Sequence, residues 1–152
     1  MLKLPPKAGD LFSVPQTDTG YCIGQILAFE PRMLNSVSCI LTDTRDIDFS
    51  GSPPMDRIVA SVFTTPDLLK KGRWKIVGTA DISLPRHLFP YEHLRSASWV
   101  GAKLVGSANI ESLLNACFGL QPWDDWADRD YLTKLLFAGR CVPAAATFSR
   151  EP

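Results

Sequence analysis

The chain carries no excess of charge: 16 Lys and Arg balance 16 Asp and Glu, for a formal net charge of zero. A general nucleic-acid binder is normally basic, so that class loses weight at once. Histidine is scarce, with His87 and His93 alone. No G-x-S-x-G elbow, Walker loop or G-x-G-x-x-G fingerprint occurs. No run approaches the roughly 18–20 apolar residues of a membrane span. The start, Met1-Leu2-Lys3-Leu4-Pro5-Pro6-Lys7, lacks the apolar centre of a secretion signal. Cys22, Cys39, Cys117 and Cys141 are scattered without a CxxC pair, which predicts buried reduced thiols rather than disulfides or metal ligands. These absences point to a cytoplasmic protein without a cofactor.

What is present is ordinary globular material. The 152 residues are 45% apolar and 21% charged, enough to bury a core as one domain spanning 1–152. Twelve prolines and ten glycines break the chain into short elements. Asp10-Leu11-Phe12-Ser13-Val14-Pro15 and Tyr21-Cys22-Ile23-Gly24-Gln25-Ile26-Leu27 flank a segment of turn formers ending in Gly20 and read as a β-hairpin. Gly24 within the second run marks a bulge, a bend or a close approach of another segment.

Two further strands follow. In residues 36–42, Val37, Cys39 and Leu41 share a face while Ser36, Ser38 and Thr42 take the other, the pattern of a strand wet on one side. Residues 57–64 are apolar on both faces, as a central strand would be. Thr65 and Pro66 start a single helical turn that Gly72 ends. Residues 73–78 form a short strand with Trp74 and Ile76 on one face, residues 79–98 are irregular, and 99–105 read as one more strand.

The last third turns helical. Asn109 is placed as an N-cap, and Ile110, Leu113, Leu114, Cys117 and Phe118 recur at helical spacing up to Gly119. A second helix starts near Asp128, with Tyr131, Leu132, Leu135 and Leu136 on one side and Gly139 closing it. The expected fold is α+β: an N-terminal antiparallel, partly barrel-like sheet of five or six strands with two C-terminal helices packed on it.

Chemistry is sparse. His87 and His93 lie six residues apart across Pro90 and match no common helical metal spacing. Loop histidines bonded to water or backbone are the simpler account, although a pair acting with Glu92 in acid–base work remains an alternative. The clearest surface signal is Trp123-Asp124-Asp125-Trp126-Ala127-Asp128-Arg129-Asp130, with four carboxylates and two tryptophans in eight residues. Capping and the helix dipole account for Asp128 and Asp130, and a tryptophan can plug the core. Asp124 and Asp125 are left over, and acidic groups beside an aromatic anchor suit a basic partner surface. Asp43, Asp46 and Asp48 form a second acidic segment. Lys70, Lys71, Arg73 and Lys75 make a basic stretch suited to an exposed sheet edge.

The opening residues Gly9 to Pro15, the segment Tyr21 to Leu27 and the later Arg73-Trp74-Lys75-Ile76-Val77-Gly78 together resemble the immunity protein 26 family of bacterial polymorphic toxin systems. The resemblance implies an α+β protein encoded beside a toxin, which binds the C-terminal domain of that toxin and blocks it. Toxins of this kind, including those of contact-dependent growth inhibition, are often nucleases. The resemblance supplies no catalytic residues. The contact must therefore come from the local reading, with Asp124, Asp125, Trp126, Asp128 and Asp130 first and Asp43, Asp46 and Asp48 second. Two other readings stay open: a small β-barrel module binding a peptide or nucleic acid through Tyr21, Phe49 or Trp74, and an enzyme built on the two histidines. Nothing in the sequence fixes the oligomeric state.

Overall fold

A computed structural model describes residues 5–46, 51–137 and 139–149. Strands β1 (Asp10–Pro15) and β2 (Tyr21–Glu30) form the expected hairpin, with Pro15 opposite Tyr21 and Leu11 opposite Gln25. The turn closes by a hydrogen bond from the Gln16 amide to the Gly20 carbonyl (2.8 Å). β3 (Ser36–Arg45) and β4 (Ile58–Thr64) extend the sheet, α1 (Asp67–Lys70) turns the chain, and β5 (Lys75–Thr79) returns to pair with β1. β6 (Leu104–Val105) then lies parallel to the end of β4, followed by α2 (Ser107–Cys117) and α3 (Tyr131–Leu135). The sheet order is β5-β1-β2-β3-β4-β6, antiparallel except at β6. The α+β class holds, while the barrel-like expectation gives way to an open sheet with β5 and β6 at its edges.

One contact joins the three stretches on which the family resemblance rests. A side chain at Gly24 would meet the Phe12 ring, with Phe12 Cε2 2.7 Å and the Ile40 carbonyl 3.0 Å from its Cβ. The vacant position lets Phe12 lie flat across the hairpin, and Trp74 stacks on it with centroids 5.3 Å apart and planes 8° from parallel. The Trp74 indole N–H then donates to Glu111 Oε2 on α2 (3.0 Å), a carboxylate also held by Arg73 through two 2.8 Å hydrogen bonds. Hairpin, edge strand and helix are joined through one aromatic pair. Around it, one side of the sheet packs on Ile110, Leu113, Leu114 and Cys117 of α2, with Trp123 and Leu132 beyond.

The other side of the sheet is covered as well, which the alternation in β3 does not foretell. Ser36, Ser38, Ile40 and Thr42 are all buried, like Val37, Cys39 and Leu41. Residues 80–104 cross that face and place Leu84, Phe89 and Trp99 against Ile40, Ile58 and Phe63. Pro85 and Pro90 keep this stretch out of a long helix, leaving 3-10 turns at Arg86–Leu88 and Glu92–Ala97. Gln25, fully buried, ties the crossing down: its Nε2 faces the carbonyls of Gly9 (3.2 Å), Ala80 (3.2 Å) and Asp81 (3.1 Å), and its Oε1 accepts from the Ser83 amide (3.1 Å). The second layer is thus locked by a polar residue of the hairpin.

Several local expectations change. Trp99 is not in a strand; it sits in a turn at φ 66°, with its ring buried, and extended structure returns only at Leu104. Thr65 does not cap α1 through a backbone amide but donates to the Asp67 carboxylate (2.5 Å). The N-cap of α2 is Gly106, and Asn109 instead reaches forward to the Tyr131 hydroxyl (3.1 Å). The second C-terminal helix spans only five residues, and Asp130 rather than Asp128 stands at its N-cap. Three cysteines are buried free thiols, with burial raising Cys39 and Cys117 to about 12, whereas Cys141 is exposed.

Gly24→Ala is expected to lower unfolding stability by about 1–3 kcal/mol, because its methyl group must displace the Phe12 ring that Trp74 covers. Urea unfolding of the variant measures this, and a midpoint equal to that of the unsubstituted protein would refute the account.

Candidate functional site

The acidic segment is built outward from a buried tryptophan. Trp123 is 1% exposed; its amide donates to the Thr147 carbonyl (2.7 Å) and its indole N–H to Thr133 Oγ1 on α3 (3.0 Å). Asp124 follows, buried at 4% exposure, and its Oδ1 accepts from both the amide (2.7 Å) and the hydroxyl (3.0 Å) of Ser149. This carboxylate turns inward and pins residues near the end of the described chain. Trp126 is half-buried against Tyr131, ring centroids 5.8 Å apart, and joins the rim of the core.

The remaining carboxylates face solvent. Asp128 Oδ1 accepts from the Asp130 amide (3.0 Å), and Oδ2 meets Lys134 Nζ at 2.6 Å. The Lys134 ammonium, and after it the Asp130 N–H, hold the Asp128 carboxyl below its ordinary value. Asp125 and Asp130 are exposed, and their carboxylates form no ion pair among the described residues. Among the described residues the segment therefore presents two exposed carboxylates without an ion pair, one paired carboxylate and a half-buried indole.

The second acidic stretch is tied into the fold. Asp43 Oδ2 pairs with Arg140 (2.9 Å), and Oδ1 lies 2.8 Å from Arg57 Nε as an ion pair without hydrogen-bond alignment. Asp46 Oδ1 accepts from the Tyr21 amide (2.8 Å), and its Oδ2 stands 3.5 Å from Arg45 Nε. Arg45 also pairs with Asp18 in the hairpin turn and lies over the Phe118 ring (5.1 Å). The same guanidinium is the main reason that the Asp18 carboxyl is held below its ordinary value. Asp48 lies outside the described residues. Asp43 and Asp46 read as fasteners between β3, the hairpin and the C-terminal region rather than as a free acidic face.

The residues of the other readings are dispersed. Trp74 is buried beneath Phe12, Tyr21 is half-buried, and Phe49 lies outside the described residues. His87 and His93 are exposed, and Glu92 between them is committed elsewhere: its Oε1 accepts from Arg86 Nε (2.6 Å) and Arg95 Nε (2.5 Å). Among the described residues, no group of three or more His, Cys, Asp or Glu is placed to hold a metal ion.

A feature not singled out from the sequence is a cleft of about 480 Å³ on the face crossed by residues 80–104. Leu27, Ala28, Phe63, Leu84, Phe89 and Trp99 line its apolar interior, and Ile82, 44% exposed, also lines it. Phe63 meets Phe89 and Trp99 edge-on, both at 5.0 Å between centroids. At the margin, Arg95 bridges Glu92 and Glu30 (3.3 Å to the latter) and lies over Trp99 at 4.6 Å. The available signal was the crowding of Phe89, Tyr91 and Trp99 into a proline-broken stretch too irregular to assign to a face.

The margin titrates. The guanidinium of Arg95 foremost, with Arg86 in support against the opposing effect of burial, holds the Glu92 carboxyl below its ordinary 4.5. A depressed native value stabilises the fold above pH 4.5, and this contribution is lost as the pH falls through the lower native value. Glu92→Gln should therefore be less stable than the unsubstituted protein at pH 7, and the gap should narrow steadily below pH 4.5. Urea unfolding across a pH series checks this; a gap independent of pH would contradict it.

No curated protein and no solved structure is significantly similar to the chain. The sequence model of immunity protein 26 matches residues 7–98, a span that runs from the start of the hairpin through the edge strand to the 3-10 turns of the second layer. The stretch holds Gly24, Phe12 and Trp74, the residues whose contact joins hairpin to edge strand, and nearly all of the cleft; the acidic segment lies beyond it. With well over half of its residues inside that match, the chain belongs to the immunity protein 26 family.

Proposed function

We propose that this protein is a cytoplasmic immunity protein that binds the C-terminal domain of one cognate toxin, a nuclease, and blocks it by direct protein–protein contact without catalysis of its own. Family membership supports toxin neutralisation as the activity. The observation that carries the finer reading is the outward pair Asp125 and Asp130 beside the half-buried Trp126, on a segment held rigid by Trp123 and Asp124. A nuclease grips a polyanion and presents a basic cleft for it. Carboxylates fixed on a rigid rim complement such a cleft, speed encounter and exclude the substrate. Trp126 supplies an aromatic surface beside the charges, the composition favoured at interface hot spots. A nuclease acts where nucleic acid is, which places its inhibitor in the cytoplasm of a polymorphic toxin producer or its siblings, as in contact-dependent growth inhibition.

Nucleic acid is not the partner in this reading, since the chain has no net positive charge. Nor is a membrane: among the described residues, no helix is long and apolar enough to cross one.

The double variant Asp125→Lys, Asp130→Lys should bind the toxin domain encoded beside it with an on-rate reduced about 10-fold or more at low ionic strength. The difference should shrink in about 1 M salt, where screening acts over roughly 3 Å. Stopped-flow association across a salt series measures both effects. A folded variant that associates as fast as the unsubstituted protein would sink the acidic-surface assignment.

A further inference from the structure

We propose that the cleft over Phe63 and Trp99 receives an uncharged, apolar anchor side chain of the cognate toxin domain, as a second contact separate from the acidic segment. This rests on the reading of the protein as a toxin-binding inhibitor.

The choice of occupant follows from the charges at the margin. Glu30, Glu92, Arg86 and Arg95 are two anions and two cations, and they satisfy one another at 2.5–3.3 Å. The side chains of Glu30 and Glu92 are only 12% and 17% exposed. A charged group entering the cleft finds no unpaired counter-ion and must leave water for apolar walls, which is costly. An apolar group loses nothing by the same move and covers the surface that Ile82 leaves in water. The margin thus selects against charge while the interior accepts hydrocarbon.

The cleft is also preformed. Phe89 and Trp99 each pack edge-on against Phe63 in its floor, and Arg95 lies over Trp99. A partner side chain would enter without first ordering the walls, the condition under which a single anchor contributes most to affinity. Its volume of about 480 Å³ lies within the range of pockets that enclose a ligand group.

The cleft and the acidic segment lie on opposite sides of the sheet. Trp123, Trp126 and Tyr131 belong to or border the apolar cluster that holds Cys39 and Leu41, whereas Trp99 and Phe89 belong to the cluster that holds Ile40. A toxin domain reaching both must wrap around a sheet edge.

The test is binding of the purified chain to the toxin domain encoded beside it, inactivated at its own active site, by surface plasmon resonance with thermal unfolding as the folding control. Ile82→Asp places a charge inside the apolar lining at an already exposed position; Ala28→Trp fills the cleft without charge. Each variant that keeps the unsubstituted melting temperature should bind at least ~10-fold more weakly, mainly through faster dissociation and with an unchanged salt dependence of association. Should one of them unfold, the other decides. Affinity within about twofold of the unsubstituted protein in a folded variant would overturn the cleft contact while leaving the immunity reading in place. Absence of binding by the unsubstituted protein would overturn both.

Discussion

The stack of Trp74 on Phe12 across Gly24 is the contact on which the rest of the molecule depends. Without a side chain at Gly24, the Phe12 ring can lie over its own hairpin; with the ring there, Trp74 has a flat apolar surface to cover. Trp74 then brings β5 against β1 and fixes α2 through Glu111. Phe12 and Trp74 are separated by a long stretch of chain, so the stack closes a large loop and holds β5 on a sheet whose β1 to β4 pair in chain order. The apolar hairpin motif and the basic-aromatic motif thus form the two halves of one joint.

Much of this was legible in sequence where the physics is local. The hairpin, α2 with its period of apolar residues, the helical turn before Gly72 and the basic edge strand all follow from turn chemistry and spacing. The failures come from distance. Ser36, Ser38 and Thr42 read as a wet face because they are polar, yet all three are buried, on the face where residues 80–104 pack against Ile40. Thr42 meets the change by donating to the Ile23 carbonyl (2.7 Å), a partner one strand away. Gln25 is the sharpest case: within its own segment it is an unremarkable polar residue, and only the crossing chain reveals why a buried amide is needed there.

The acidic segment divides along the same line. Its density of carboxylates was evident, and so was a tryptophan as core plug, a place that Trp123 rather than Trp126 takes. Which carboxylates are available was not, because that depends on Ser149 and Lys134, residues whose positions the local pattern does not set. Capping leaves Asp124 and Asp125 over, and of that pair Asp124 is the one that turns inward. The second acidic stretch misleads for the same reason: Arg57 and Arg140 converge on Asp43 from distant parts of the chain.

Two surfaces with different physics are the outcome of covering one sheet on both sides. The side carrying α2 and α3 leaves exposed carboxylates, whose long-range field would act on a basic partner before contact and so favour encounter. The other side holds an apolar cleft whose ions are paired with one another, so in the proposed complex it would act only once a side chain is seated. In the proposed complex, residence time would belong to the cleft and speed to the charges, because aligned charge survives at a solvated rim while dispersion and desolvation need an apolar floor. Loss of the Phe12–Trp74 joint would disturb both surfaces at once, since the sheet whose two sides carry them is assembled around it.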